Sequence, residues 1–152
     1  GCGHVGAARG RVLTGAGFAV VACDDRPSTL TPEWVPGVYD RRLVDYKNLS
    51  ELCPIGPRDL VVVATAGHKS DIDVVIQAMR AKPAYLGCLG SRRKTAFVRA
   101  RLEQEGFTQD RIDELHLPIG VAIKAEDPEE IAISIAAEMI HLRRTKLVPR
   151  KR

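Results

Sequence analysis

Gly1-Cys2-Gly3-His4-Val5-Gly6 opens onto Ala7–Leu13, Gly15 and Gly17, and then onto Phe18-Ala19-Val20-Val21-Ala22-Cys23-Asp24-Asp25. This stretch decides the fold. Glycines at this spacing let main-chain N–H groups and a helix N-terminus face a pyrophosphate at close range. The short, helix-tolerant segment after Gly6 is stopped by Gly15 and Gly17, and the continuous apolar run that follows suits a buried parallel strand. Asp24 closes that strand 18 positions after Gly6, near the separation of roughly 20 residues at which an acid meets a ribose hydroxyl. Turn, helix, strand and acid together predict a site for a dinucleotide or nucleotide-like ligand.

The rest of the chain continues the alternation. Pro27 to Gly37 reads as a proline-rich loop anchored by Trp34, Leu43-Val44 as a weak strand, and Asn48 as the cap of a short helix through Leu52. Asp59–Thr65 is β-branched and apolar through its middle, and is expected deep in a parallel sheet. Gly67 to Ser70 is then a loop, with a helix from Asp71. Ala84–Leu89 is the next strand, and Gly90-Ser91-Arg92-Arg93-Lys94 a loop before a helix that reaches Glu105. A short helix capped by Thr108 and a short strand at Val121–Ile123 come next. The last helix has strong start signals in Asp127, Pro128 and Glu130, with Ile131, Ile135, Met139 and Leu142 as a core-facing stripe. The expected fold is α/β, a doubly wound parallel sheet of Rossmann type over residues 1–143, followed by a basic tail at 144–152.

Composition limits the function classes. Of 152 residues, 45% are hydrophobic and 28% charged, which describes one soluble domain with a real core. No apolar run approaches a membrane span and no signal peptide is visible, so a cytoplasmic location is expected, with no membrane partner. The formal charge is +4, but six of the 23 basic residues lie at 143–152, where no acid occurs; the remaining 17 face 19 acids. With no aromatic platform beside that tail, nucleic acid is not an expected partner. Cys2, Cys23, Cys53 and Cys88 are dispersed without metal-ligand spacing, so no metal site is predicted. Cys23 and Cys88 read as small buried hydrophobes. Cys2, inside the phosphate turn, reads as a compatible small residue, with an accessible low-pKa thiol as the other possibility.

Open parallel sheets bind ligands at the carboxyl ends of their strands. Four loops of this chain should converge there. They supply Gly1, Cys2, Gly3, His4, Val5 and Gly6; Asp24, Asp25 and Arg26; Thr65, Gly67 and His68; and Gly90, Ser91, Arg92, Arg93 and Lys94. Asp24 or Asp25 can accept from ribose hydroxyls, Arg26 can engage a 2′-phosphate, and the Arg-Arg-Lys run can meet phosphate. His4 and His68 can move protons, although a structural role is the simpler reading of each. No nucleophile elbow or paired catalytic carboxylates are present, and catalytic residues are left unassigned.

Gly1 to Gly6, Asp24-Asp25-Arg26-Pro27, Thr65-Ala66-Gly67-His68 with Asp71, Gly90 to Lys94, Pro118-Ile119-Gly120, and Asp127 to Ala132 with Ser134-Ile135 occur in an order that resembles the C-terminal Rossmann domain of the XdhC/CoxI family of xanthine dehydrogenase accessory proteins. The resemblance implies a cofactor-handling chaperone rather than a self-sufficient enzyme. Such a domain binds molybdenum cofactor, as molybdopterin or its dinucleotide form, or NAD(P), and assists sulfuration or insertion. Its implied partners are a molybdenum hydroxylase apoenzyme and a sulfur-donating protein. The chain departs from the family at Ala66, Ala122 and Lys124, where a polar or basic residue, Asp and Gly are usual. The family's Gly-Gly-Cys region has no counterpart in it. Two other readings are an NAD(P)-dependent oxidoreductase whose substrate site comes from elsewhere, and a nucleotide-sensing or homo-oligomeric module built on the last helix. A glycine-rich turn without its preceding strand predicts a gap in the sheet, filled by further polypeptide ahead of Gly1 or by another segment.

Overall fold

The computed structural model describes residues 1–147, the side chains of His68 and Arg92 excepted. Arg150, Lys151 and Arg152 of the expected tail lie outside the described residues.

Helix α1 (His4–Gly15) starts directly on the glycine turn and ends where the sequence predicts, with Gly17 at φ +80 reversing the chain. β1 (Val21–Asp24) follows and pairs in parallel with β2 (Asp40–Leu43), Cys23 standing opposite Arg42. After the short α2 (Leu49–Leu52) come β3 (Leu60–Val63), α3 (His68–Ala81), β4 (Tyr85–Cys88), α4 (Arg92–Gln104), α5 (Gln109–Asp113), β5 (Leu115–His116) and α6 (Pro128–Leu142). β3, β4 and β5 form a second parallel sheet in that order.

Both faces of the second sheet are covered, as a doubly wound fold requires. Alternate residues point to opposite sides of a strand. Val63, Leu86 and Cys88 accordingly join Val75, Ala78, Val98, Leu102 and Ile112 of α3, α4 and α5. Leu60, Val62 and Tyr85 instead meet Leu13 of α1 and Ile135, Met139 and Leu142 of α6. The expected stripe on α6 is therefore core, lying along α1. Asp127 caps α6 by accepting from the Glu130 N–H at 3.0 Å, and Glu130 reaches back to the Glu126 N–H at 2.9 Å. No helix among the described residues is long and apolar enough to cross a membrane.

Several local expectations are corrected. Among the described residues Asp59–Thr65 does not supply a strand deep in a sheet: β3 is partnered there by β4 alone, and its other edge borders a cavity of about 740 Å3 that β1 also lines. α3 begins at His68 rather than Asp71, and α4 at Arg92, so Arg92, Arg93 and Lys94 form a first helical turn. Val121–Ile123 is not a strand, because Val121 is tied to α6 through Ser134; the short strand is β5. Asn48 and Thr108 precede α2 and α5 without side-chain caps, and Leu49 N–H is met by Gln77 Oε1 instead.

The sheet thus has two parts, and the unpaired edges of β1 and β3 face each other across the cavity. A parallel strand pairs on both edges and needs apolar residues on both faces.

Candidate functional site

The glycines of the first turn divide by position. Gly1 N donates to Cys23 O at the end of β1 at 2.8 Å, while a Cβ on Gly1 would overlap the Ala64 carbonyl after β3. A Cβ on Gly6 would overlap the Gly1 carbonyl. Only glycine lets the chain pass between the two strand ends and beneath the helix. Gly3 differs: at φ −62 a Cβ there would meet nothing within 4 Å. Gly3 is also the N-cap of α1, with no side-chain cap and no acid in the first turn. Among the described residues, the leading N–H groups of this 12-residue helix thus carry no side-chain partner and face open space at Gly3.

Asp24 is fully buried and holds this turn in place. Its carboxylate accepts from Cys2 N–H at 2.6 Å, and from Arg26 N–H, Nε and a terminal guanidinium nitrogen at 3.0, 2.9 and 3.2 Å. Burial alone would raise its pKa; the Arg26 guanidinium and the two backbone donors outweigh it and hold the carboxyl well below the usual range. Four donors saturate a carboxylate. Asp25 is the more open acid, its side chain half exposed and 3.8 Å from Arg26 Nε.

Cys2 is buried, and burial pushes its thiol up, so the accessible low-pKa reading fails. Trp34 anchors its loop here, with Nε1 donating to Cys2 O at 2.6 Å and its ring meeting the exposed His4 edge-on at 5.3 Å. Below the turn lies Arg9, buried in α1. One of its terminal nitrogens donates to Gly1 O at 3.0 Å; the other has no partner, and the side chain lines the cavity.

A second group forms at the ends of β3 and β4. Asp71 accepts from Thr65 N–H and Thr65 Oγ1, each at 2.8 Å, and from Lys94 Nζ, which also donates to Leu89 O. The side chains of Asp71 and Lys94 are 4% and 8% exposed. Lys94 is therefore engaged internally, and an arriving phosphate would have to compete for it. Ser91 caps α4 by accepting from Lys94 N–H, and Arg93 is exposed. The side chains of His68 and Arg92 lie outside the described residues.

The four loops are linked: Arg26 to Asp24, Asp24 to Cys2, Gly1 to the end of β3, Thr65 to Asp71, and Asp71 to Lys94. Sequence reasoning missed the parts played by Asp71 and Arg9. Arg9 carries a readable signal, a cation inside the small-residue run Ala7-Ala8-Arg9-Gly10; Asp71 stands four residues after the helix-opening Gly67.

Comparison with known proteins gives a consistent set of matches. The family model described as the XdhC Rossmann domain matches residues 1–139. An uncharacterised protein of Escherichia coli, YqeB, is 31% identical over 144 residues, covering 94% of this chain and 26% of that protein. The E. coli molybdenum cofactor insertion chaperone PaoD is 29% identical over 105 residues, 69% of this chain and 33% of PaoD. A Bacillus subtilis protein named as a probable subunit of xanthine dehydrogenase is 31% identical over 130 residues, 84% of this chain and 37% of that protein. A crystal structure described as a xanthine dehydrogenase from Bacillus halodurans superposes with a TM-score of 0.84 at 28% identity, covering 98% of this chain and 43% of that one. The chain thus spans between 26% and 43% of each of these relatives.

Proposed function

The chain belongs to the XdhC Rossmann domain family, and from that premise we propose that it serves the maturation of a molybdenum hydroxylase by binding the phosphate of molybdenum cofactor over the glycine-rich turn. The observation that carries this reading is the uncapped N-terminus of α1 beneath the open space at Gly3. That arrangement fits a phosphate: unpartnered N–H groups, the positive end of a helix dipole, and no Cβ in the way. The relatives named as a cofactor insertion chaperone and as part of a xanthine dehydrogenase support the same direction. The client is a molybdenum hydroxylase apoenzyme, and a sulfur-donating protein is the second partner where the cofactor is sulfurated.

Asp24 favours molybdenum cofactor over NAD(P). A dinucleotide site of this design offers an acid to the ribose hydroxyls, and here that acid is saturated by Cys2 and Arg26. A molybdopterin phosphate needs the turn and no ribose acceptor. The reading that keeps NAD(P), as an oxidoreductase domain or a cofactor-sensing one, must give the ribose to Asp25, whose side chain is half exposed.

Gly3→Val tests the phosphate reading that both ligands share, and titration with each ligand separates the two. No neighbour within 4 Å opposes a Cβ at Gly3, so the variant is expected to keep its unfolding midpoint and lose roughly tenfold or more in affinity by blocking phosphate approach. Binding is measured by native mass spectrometry and titration with molybdenum cofactor, NAD and NADP separately. Retention of none of them at micromolar concentration overturns the phosphate reading; retention of NAD or NADP alone selects the dinucleotide one.

A further inference from the structure

Three of the four cysteines gather around β1, but only two face each other. Cys23 on β1 and Cys53, the residue that ends α2, stand with their sulfurs 3.0 Å apart, both as free thiols. Each residue is only part-buried. Cys88 is different: it is fully buried, and burial pushes its thiol up to about 11. Cys2 Sγ donates instead to the Cys23 carbonyl oxygen at 3.5 Å.

We propose that Cys23 and Cys53 form a dithiol site that reacts with low-molecular-weight disulfides and closes reversibly into an intramolecular disulfide. The 3.0 Å separation leaves about 1 Å of approach to bonding distance. The roles of the two sulfurs are unequal. Cys53 is held down to about 7, first by the hydrogen bond from the Cys23 thiol, against the opposing effect of burial, and then by the Arg42 guanidinium. The same hydrogen bond and burial push Cys23 up. Asp59 ahead of β3 acts on Cys53, and Cys2 acts on Cys23.

Cys53 is therefore the attacking thiolate and Cys23 the resolving thiol. The Cys53 thiolate attacks one sulfur of the small disulfide; that S–S bond breaks, and the leaving thiolate takes a proton from water. Cys23 then loses its proton to solvent and attacks the Cys53 sulfur of the mixed disulfide, expelling the second small thiol. The cysteine pair is oxidised by two electrons and the small disulfide is reduced to two thiols. The new bond would tie the end of α2 to the residue before Asp24, and so brace the strand that carries the carboxylate clasp of the first turn.

Glutathione disulfide added to the fully reduced chain tests this, with cross-links mapped by non-reducing peptide mass spectrometry. The expected product is a single Cys23–Cys53 disulfide with Cys88 unmodified. Cys23→Ser is expected to trap a stable glutathione adduct on Cys53, and Cys53→Ser to slow modification of Cys23 at least tenfold. Alkylation of Cys53 by iodoacetamide in the unaltered chain is expected to reach half its maximal rate near pH 7, and to move upward in Cys23→Ser. A glutathione adduct that persists on Cys53 in the unaltered chain, or modification of Cys88 as fast as Cys53, overturns the proposal. The unaltered chain carries the decisive measurements, so misfolding of either variant leaves the test intact.

Discussion

Asp71→Ala unfolds at a temperature lower by roughly 6–20 °C, corresponding to a loss of about 3–5 kcal/mol, the range for breaking a buried ion pair in a domain of this size. The cause is the set of groups left behind. Asp71 accepts from Lys94 Nζ on one oxygen and from both Thr65 N–H and Thr65 Oγ1 on the other, with both charged side chains buried. Removing the acid strands a buried ammonium, which keeps only the Leu89 carbonyl. Lys94→Met is expected to cost less, because the carboxylate retains both donors from Thr65. Asp71→Ala combined with Lys94→Met is expected to recover part of the loss, since no charge then remains buried. Differential scanning calorimetry on the four proteins measures this coupling; additive costs would mean that the two charges are independently hydrated.

Asp24→Ala is the second large effect, at about 3 kcal/mol, because it leaves Cys2 N–H without an acceptor in a buried place and frees Arg26. It also carries a pH signature. The Asp24 carboxyl is held below its ordinary value in the folded chain, so the folded state binds its proton less readily than the unfolded state. Its contribution is therefore complete above the unfolded value of about 4 and is lost progressively as pH falls toward the folded one. Urea midpoints measured from pH 7 down to pH 3 are expected to fall more steeply for the unaltered chain than for Asp24→Asn, the gap between the two curves beginning to narrow below about pH 4. Parallel curves would show that the clasp contributes nothing ionic.

Much of the architecture was legible because its signals are local. Asp127-Pro128-Glu129-Glu130 announces the start of α6 through bonds spanning three and four residues. The apolar centre of Asp59–Thr65 marks β3 wherever the strand comes to lie. What was not legible depends on pairing across the chain. Lys94 reads as a free cation for phosphate until Asp71, 23 residues earlier, is seen beside it. Cys23 reads as a small hydrophobe until Cys53, 30 residues later, faces it. Asp24 reads as a ribose acceptor because its spacing from Gly6 is right, yet spacing says nothing of competitors, and the neighbouring Arg26 takes most of its capacity. The starts of α3 and α4 were placed late because polar residues in a first helical turn look like loop.

The division of the sheet has a mechanical meaning for whatever binds above it. β1 carries Asp24 and Cys23 of the thiol pair, whereas β3 and β4 carry the Thr65 and Lys94 side of the site. Among the described residues no strand pairing joins the two bodies; α1 lying along α6, and Val44, Tyr46 and Leu49 packed on α3, hold them side by side. A ligand resting on the turn would span this seam as a cross-brace. Its grip should show as slower amide exchange in β1 and β2, the less supported body, more than in β4, which is already clamped between two neighbours.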